Sequence, residues 1–276
     1  MFQDIHPHTI SYDPGHGAPQ ADDHVVFLKG GRVLLGQGEE PALPVFGALP
    51  PALQARPDAL TYMFSMDGAG FYCCAGETEP FGPFAYSNMR QLRGLEPPQL
   101  AFACATAVHI AGWYGRNRYC GRCAAPMQAK GDERALACPE CGDVKYPNVY
   151  PVVIVGIVHG DSLLLVKNAR GEYRYHGLVS GFVEPGETLE AALAREVMEE
   201  VGLKVANPRY YKSQPWAFSH SLLMGFFADL DGDPAVTLDG KELAEARWFG
   251  RHELPPAESL MSLTWDMIEA FRNGAA

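Results

Sequence analysis

Residues 181–203 read "GFVEPGETLEAALAREVMEEVGL", and the electrostatics of that stretch decide how the C-terminal half of the chain is read. Leu193, Val197 and Val201 recur at helical spacing and Gly202 stands just past the last apolar turn, so the pattern predicts a helix over 188–201. Glu199 and Glu200 then fall in its last turn, where the helix dipole is negative. Glu196 adds a like-charged neighbour one turn before Glu200. Each term costs about 0.3–1 kcal/mol, and all have the same sign. At about 100° per residue, the three carboxylates fall within about a third of the helix circumference, beside the apolar stripe that packs it down. Arg195 can pair with Glu199, but one cation does not neutralise three acids, and Glu187 upstream adds a fourth. A hard divalent ion, Mg²⁺ or Mn²⁺, supplies the missing charge and takes substrate phosphates as further ligands. The stretch therefore points to phosphate chemistry, against the plain alternative that Glu-rich helices are often just solvated faces.

The flanking sequence predicts a mixed α/β unit over 148–276. "YPVVIVGIVHGDSLLLVKN" reads as two strands joined by the turn "HGDS", and "RYYKSQPW" and "LLMGFFADL" read as further strands. "ESLMSLTWDMIEAFRNG" is an amphipathic terminal helix with Leu260, Leu263, Met267 and Phe271 near one face. Residues 1–115 carry two hairpin patterns, "VVFLKGGRVLLG" and "LTYMFSMDGAGFYCC", followed by an apolar helix that starts after Pro97-Pro98, and predict an α+β domain.

Between them, residues 116–147 are loop-rich and have too little apolar content for a core of their own. Cys120, Cys123, Cys138 and Cys141 form two C-x-x-C pairs there, "CGRC" and "CPEC". Four thiolates suit one tetrahedral Zn²⁺ and leave no open position, so the site is structural. Two redox dithiols are the competing reading. Cys73, Cys74 and Cys104 lack ligand spacing and read as core or strand residues.

The 276 residues are 47% hydrophobic and 20% charged, with a net charge of −11, the composition of a globular protein not held on nucleic acid mainly by phosphate neutralisation. "MFQDIHPHTI" has no basic leader followed by an apolar run, and the run "PVVIVGIV" is too short to span a bilayer. No membrane association and a cytoplasmic location are the expectation.

The helix stretch matches without a gap the Nudix box, a pattern carried here by Gly181, Glu187, Arg195, Glu196, Val197, Glu199, Glu200, Gly202 and Leu203. The resemblance implies a Nudix α/β/α sandwich that hydrolyses a nucleoside diphosphate linked to another moiety, using Mg²⁺ or Mn²⁺. It implies that Glu196, Glu199 and Glu200 bind metal or position water and that Arg195 orients them. The Ser180 carbonyl and Glu245, in "KELAEARWF", resemble further metal ligands.

Downstream, "SQPWAFSHS" at 213–221 resembles the signature of the NADH pyrophosphatase group, also known as NAD-capped RNA hydrolases; a zinc ribbon just before the Nudix domain belongs to the same group. Ala217 and Ser219 stand where that signature has prolines, which removes two fixed φ angles from the loop. By resemblance, substrate contacts fall on Gln214, Pro215, Trp216, Ala217, Phe218, Ser219, His220 and Ser221, with Trp216 and Phe182 offering flat faces for a nicotinamide ring. Arg90, Tyr146 and Met261 resemble further contacts. The implied activity is cleavage of NADH or NAD⁺ to nicotinamide mononucleotide and AMP, and removal of NAD caps from RNA, by a homodimer. A broader ADP-ribose or dinucleoside polyphosphate hydrolase and a non-catalytic nucleotide- or RNA-binding module are the alternatives.

Overall fold

The computed structural model describes the whole chain except residues 14–16, 39–40, 75, 170–175, 239, 258–260 and 276. The chain divides into two compact units: Gln3–Asn148 with Ala217–Ser219, and Val149–Trp216 with His220–Ala276 and Met1–Phe2.

The first unit is the predicted α+β fold. Its larger sheet orders β1 (Ile10–Ser11), β5 (Leu60–Met66), β6 (Ala69–Cys74) and β2 (His24–Val26). A smaller sheet orders β3 (Leu28–Lys29), β4 (Arg32–Gly36) and β7 (Phe84–Asn88), and the short helix α1 spans Pro51–Gln54. Both hairpin patterns form: Gly30-Gly31 closes β3 on β4, and Asp67-Gly68 closes β5 on β6, each pair with positive φ as two-residue hairpin turns require. One detail departs from the pattern. "VVFLK" does not run as one strand, because Val25 and Val26 pair in parallel with β6 while Leu28 turns into the other sheet. Helix α2 (Pro98–Arg116) packs on β5 and β6 and buries Cys104 and Trp113, and Cys73 is buried in β6.

The ribbon in the same unit has three two-residue strands, β8 (Gln128–Ala129), β9 (Leu136–Ala137) and β10 (Val144–Lys145), ordered β10-β9-β8.

The second unit is an α/β/α sandwich. Its sheet orders β14 (Val205–Trp216), β15 (Ser221–Leu230), β11 (Tyr150–His159), β12 (Ser162–Asn168) and β16 (Leu243–Gly250), and β13 (Val179–Phe182) pairs with the first half of β11. All pairings are antiparallel except β11 with β15. Alternation sorts the side chains to two faces. Val153, Val155, Ile157, Leu164, Val166 and Phe226 face helix α3 (Leu189–Val201), where they meet Leu193, Val197 and Val201. Ile154, Leu163, Leu165, Phe227 and Phe249 face helix α4 (Leu263–Arg272), where they meet Trp265, Met267 and Phe271. The terminal helix begins at Leu263, capped by Ser262; Leu260 lies outside the described residues. Among the described residues no helix is long and apolar enough to cross a membrane.

Candidate active site and zinc centre

The box builds from its caps inward. The Thr188 hydroxyl accepts from Ala191 N–H and starts α3, while Gly202 ends it in the left-handed conformation, φ 68°, with its N–H on Met198 O. A Cβ at Gly202 would meet Thr237 Cβ at 3.1 Å, so sterics and φ both select glycine. No basic residue stands in the last turn, and the unfavourable placement of Glu199 and Glu200 read from the sequence is present in the fold. Glu200 is buried at 7% exposure beside Val201, whereas the Glu199 side chain is 60% exposed.

Arg195 is the hub. Its Nε and Nη2 meet the two Glu187 carboxylate oxygens at 2.7 and 2.9 Å, Nη1 reaches Glu196 at 2.7 Å and Glu199 at 3.1 Å, and Nη2 also donates to Phe182 O at 3.0 Å. One guanidinium thus ties β13 to three acids of the loop and helix, the planar-fork use for which lysine is no substitute. This arginine, followed by the backbone N–H of Glu184, holds the Glu187 carboxyl down from 4.5 to about 2, and the acids in turn push the Arg195 pKa up.

Gly181 is fixed by close approach. A Cβ there would lie 1.9 Å from the Glu196 carboxyl carbon, so the carboxylate occupies the space that any other residue would fill. Ser180, opposite Ile154 in β13, and Phe182, opposite Val152, flank it with exposed side chains. The acids of α3 and the Ser180 carbonyl are oxygen donors of the kind a hard divalent ion takes.

Glu245 lies on β16. Its side chain shares a face of β16 with Arg247 and Phe249, the face that α4 covers, and it pairs across the sheet with Lys167 at 2.8 Å. Lys167 holds the Glu245 pKa down. The cause of the placement is a bulge: Lys167 opposes Glu245 but Asn168 opposes Leu243, so Ala244 has no partner and the faces exchange there. Leu243 accordingly points to the α3 core. Glu245 thus stands beside Lys167 on the α4 side of the sheet, the side that Ser180 of β13 shares through its partner Ile154.

The downstream signature is divided. Gln214 is fully buried; its Nε2 donates to Met261 O and its Oε1 accepts from Leu263 N, both at 2.8 Å. It therefore anchors the start of α4 and accounts for Met261, whose carbonyl also accepts from Phe2 N at 3.1 Å. Pro215 is exposed on edge strand β14, Trp216 is half-buried and paired with Ser221, which is buried, and the His220 carbonyl accepts from Tyr150 N at 2.9 Å. In the other unit, Ala217 is half-buried, Ser219 is exposed, and the Phe218 ring lies 4.5 Å under the Arg93 guanidinium. Arg90, three residues before Arg93, is exposed in the turn capped by Asn88. Tyr146 is exposed, with its hydroxyl on Glu133 at 3.2 Å.

In the ribbon, the four cysteine sulfurs all lie within 4.8 Å of one another, and among the described residues they form the one such group of three or more His, Cys, Asp or Glu ligands. Sγ separations of 3.6 Å for Cys120–Cys141, 3.4 Å for Cys123–Cys138 and 3.6 Å for Cys123–Cys141 are near the edge, about 3.8 Å, of a tetrahedron with Zn–S bonds of about 2.3 Å. Each knuckle turns on a left-handed residue, Ala124 and Gly142, whose N–H bonds back to the first cysteine's carbonyl. The Cys141 N–H lowers the Cys138 thiol to about 7, which favours the thiolate that zinc requires. The donor set fits a structural zinc ion, and the redox reading gives way to it.

Sandwich, acid helix and arginine hub together define a Nudix hydrolase. A family model described as the NUDIX domain matches residues 149–271, and one described as the NADH pyrophosphatase zinc ribbon domain matches 116–146. The NAD-capped RNA hydrolase NudC of Stutzerimonas stutzeri (strain A1501) is 38% identical over 186 residues, 67% of this chain and 67% of its own length. That of Klebsiella pneumoniae (strain 342) is 43% identical over 169 residues, 61% and 65% of the two chains. That of Salmonella typhi is 46% identical over 148 residues, 54% and 57%. The chain thus spans about two thirds or less of the curated relatives it matches. A solved NUDIX hydrolase from Nitrosomonas europaea covers 56% of this chain and 91% of its own at 26% identity, with a TM-score of 0.48. This chain belongs to the NAD-capped RNA hydrolase, or NADH pyrophosphatase, family of Nudix hydrolases.

Proposed function

We propose that the chain hydrolyses the pyrophosphate of NADH or NAD⁺ to nicotinamide mononucleotide and AMP, and that the same cut at an RNA 5′ end removes an NAD cap and leaves a 5′-monophosphate. The observation that carries the reading is the engagement of Glu187, Glu196 and Glu199 by Arg195 beside the Cβ-free Gly181. An array of acids held this way suits a pyrophosphate only with a counter-cation between the two. Glu196, Glu199, Glu200 and the Ser180 carbonyl would hold Mg²⁺ or Mn²⁺, which when bound neutralises phosphate charge and acidifies the attacking water.

The protein's own part is to keep the acids ionised and in place, and to let one of the glutamates accept a proton. Water oxygen joins one phosphorus, the bridging P–O bond breaks, and the bridging oxygen leaves with the other phosphate.

Two aromatic residues support a dinucleotide. Trp216 pairs with Ser221 and Ser221 with Tyr150 on the face of the sheet that Phe182 shares with Val152. Trp216 and Phe182 are thus three strand spacings and two residues apart, about 16 Å, too far to sandwich one ring but suited to two rings of one substrate. We place the enzyme in the cytoplasm, in line with cysteines that stand as thiols or zinc ligands, and read it as a homodimer. Ala217 and Ser219, in place of prolines, favour as a second reading a broader hydrolase of ADP-ribose and dinucleoside polyphosphates.

Turnover of NADH, NAD⁺, ADP-ribose, dinucleoside polyphosphates and NAD-capped RNA, each with Mg²⁺ or Mn²⁺, tests this. Preference for NADH, NAD⁺ or the capped RNA is the expected result; hydrolysis of none of these diphosphates would overturn it.

A further inference from the structure

Two large aromatic side chains at the start of the second unit's sheet are more exposed than their size favours: Tyr150 at 45% and Phe182 at 53%. They are not independent. Tyr150 stands two residues before Val152, the cross-strand partner of Phe182, so the two lie diagonally on one face, within reach for aromatic side chains. Their ring centroids are 6.5 Å apart with an interplanar angle of 81°, an edge-to-face contact.

Tyr150 also joins the downstream signature to the box. Its N–H donates to His220 O, and it pairs in parallel with Ser221, which pairs in turn with Trp216. Phe182 in its turn gives its carbonyl to Arg195. The Tyr150 backbone is therefore built into the motif that ends in Ser221, while its ring sets the plane of a ring whose backbone is held by the arginine of the acid cluster. Beside this contact Phe182 keeps about half of its surface exposed, and the exposed Tyr150 ring adjoins it.

We propose that Tyr150 is a specificity-determining residue for this site, which orients Phe182 toward the nicotinamide base rather than the adenine of the substrate. The inference rests on the dinucleotide reading given under Proposed function.

The experiment compares wild type, Tyr150→Ala and Tyr150→Phe with NADH and with ADP-ribose, which has the same pyrophosphate and adenosine but no nicotinamide base. Equilibrium titration gives a Kd for each ligand, and steady-state kinetics give KM and kcat. Tyr150→Ala should weaken NADH by about 2- to 12-fold relative to ADP-ribose, the range of one aromatic pair, with the change in Kd and KM rather than kcat. Tyr150→Phe, which keeps the ring edge, should restore the ratio. An unchanged ratio in Tyr150→Ala, equal losses for both ligands, or no rescue by phenylalanine would overturn the proposal. Wild type that binds NADH without cleaving it would overturn the functional reading instead, and the Kd ratio would still decide the part played by Tyr150.

Discussion

Arg195 meets both carboxylate oxygens of Glu187, at 2.7 and 2.9 Å, across eight residues of chain. The fork closes the loop before α3 onto the helix itself, and it makes the box sensitive to acid. The folded-state pKa of Glu187 is depressed from 4.5 to about 2, so the stability this pair contributes is fully present above the unfolded value near 4.5 and is lost as pH falls toward 2. Glu187→Gln should therefore destabilise the metal-free protein by a constant amount above about pH 5, and the difference from wild type should close as pH approaches 2. Denaturant melts at several pH values measure it; a difference that widens in acid would contradict the assignment.

Gly181→Ala should be far more damaging than its size suggests. The added carbon would sit 1.9 Å from the Glu196 carboxyl carbon, and the side chain that has to yield is an acid of the site. Overpacking costs about 1–3 kcal/mol in stability, and displacement of a reacting group by about 1 Å costs on the order of 100-fold in rate. Thermal melts and kcat should show both losses. A variant with wild-type kcat would mean that the position of Glu196 is immaterial to turnover.

Glu200→Gln separates stability from function. The carboxylate is buried, at the negative end of the α3 dipole and one turn from Glu196. In metal-free protein the neutral isostere should be about 0.3–1 kcal/mol more stable, while pyrophosphate hydrolysis falls steeply. A differential scanning calorimetry trace with an unchanged or lower Tm would count against the electrostatic account of this helix.

Gln214→Ala should act first on the fold. It strands Leu263 N at the start of α4, which costs about 1–3 kcal/mol, whereas Met261 O keeps the Phe2 N–H. Urea melts should show a loss of about 1–3 kcal/mol, with hydrogen exchange rising in α4. Full stability together with weakened substrate binding would instead make Gln214 a substrate contact.

The fold was legible where local chemistry settles geometry. Gly30-Gly31 and Asp67-Gly68 demand positive φ, and the apolar run from Val152 to Ile157 before the turn "HGDS" reads as a strand, which the fold sets between two helices. The box was legible because Gly181, Glu187 and Arg195 act on one another within fifteen residues of chain. Two features were not. Gln214 finds its partners 47 and 49 residues away, a distance at which no periodicity reports. The bulge at Ala244 reverses the facing of β16, and alternation along the sequence does not report it.

The parallel ladder between β11 and β15 sets an order of events during synthesis. It joins Tyr150 to Ser221 and Val158 to Asp229, so the central strand waits for chain made about seventy residues later before its second edge is covered. The acid helix lies between those two strands and can form early as a local element, but the face that Trp216 and Phe182 share exists only once the ladder has closed. On the proposed reading, a nascent chain therefore holds its acids before the face that would take the substrate's rings is complete.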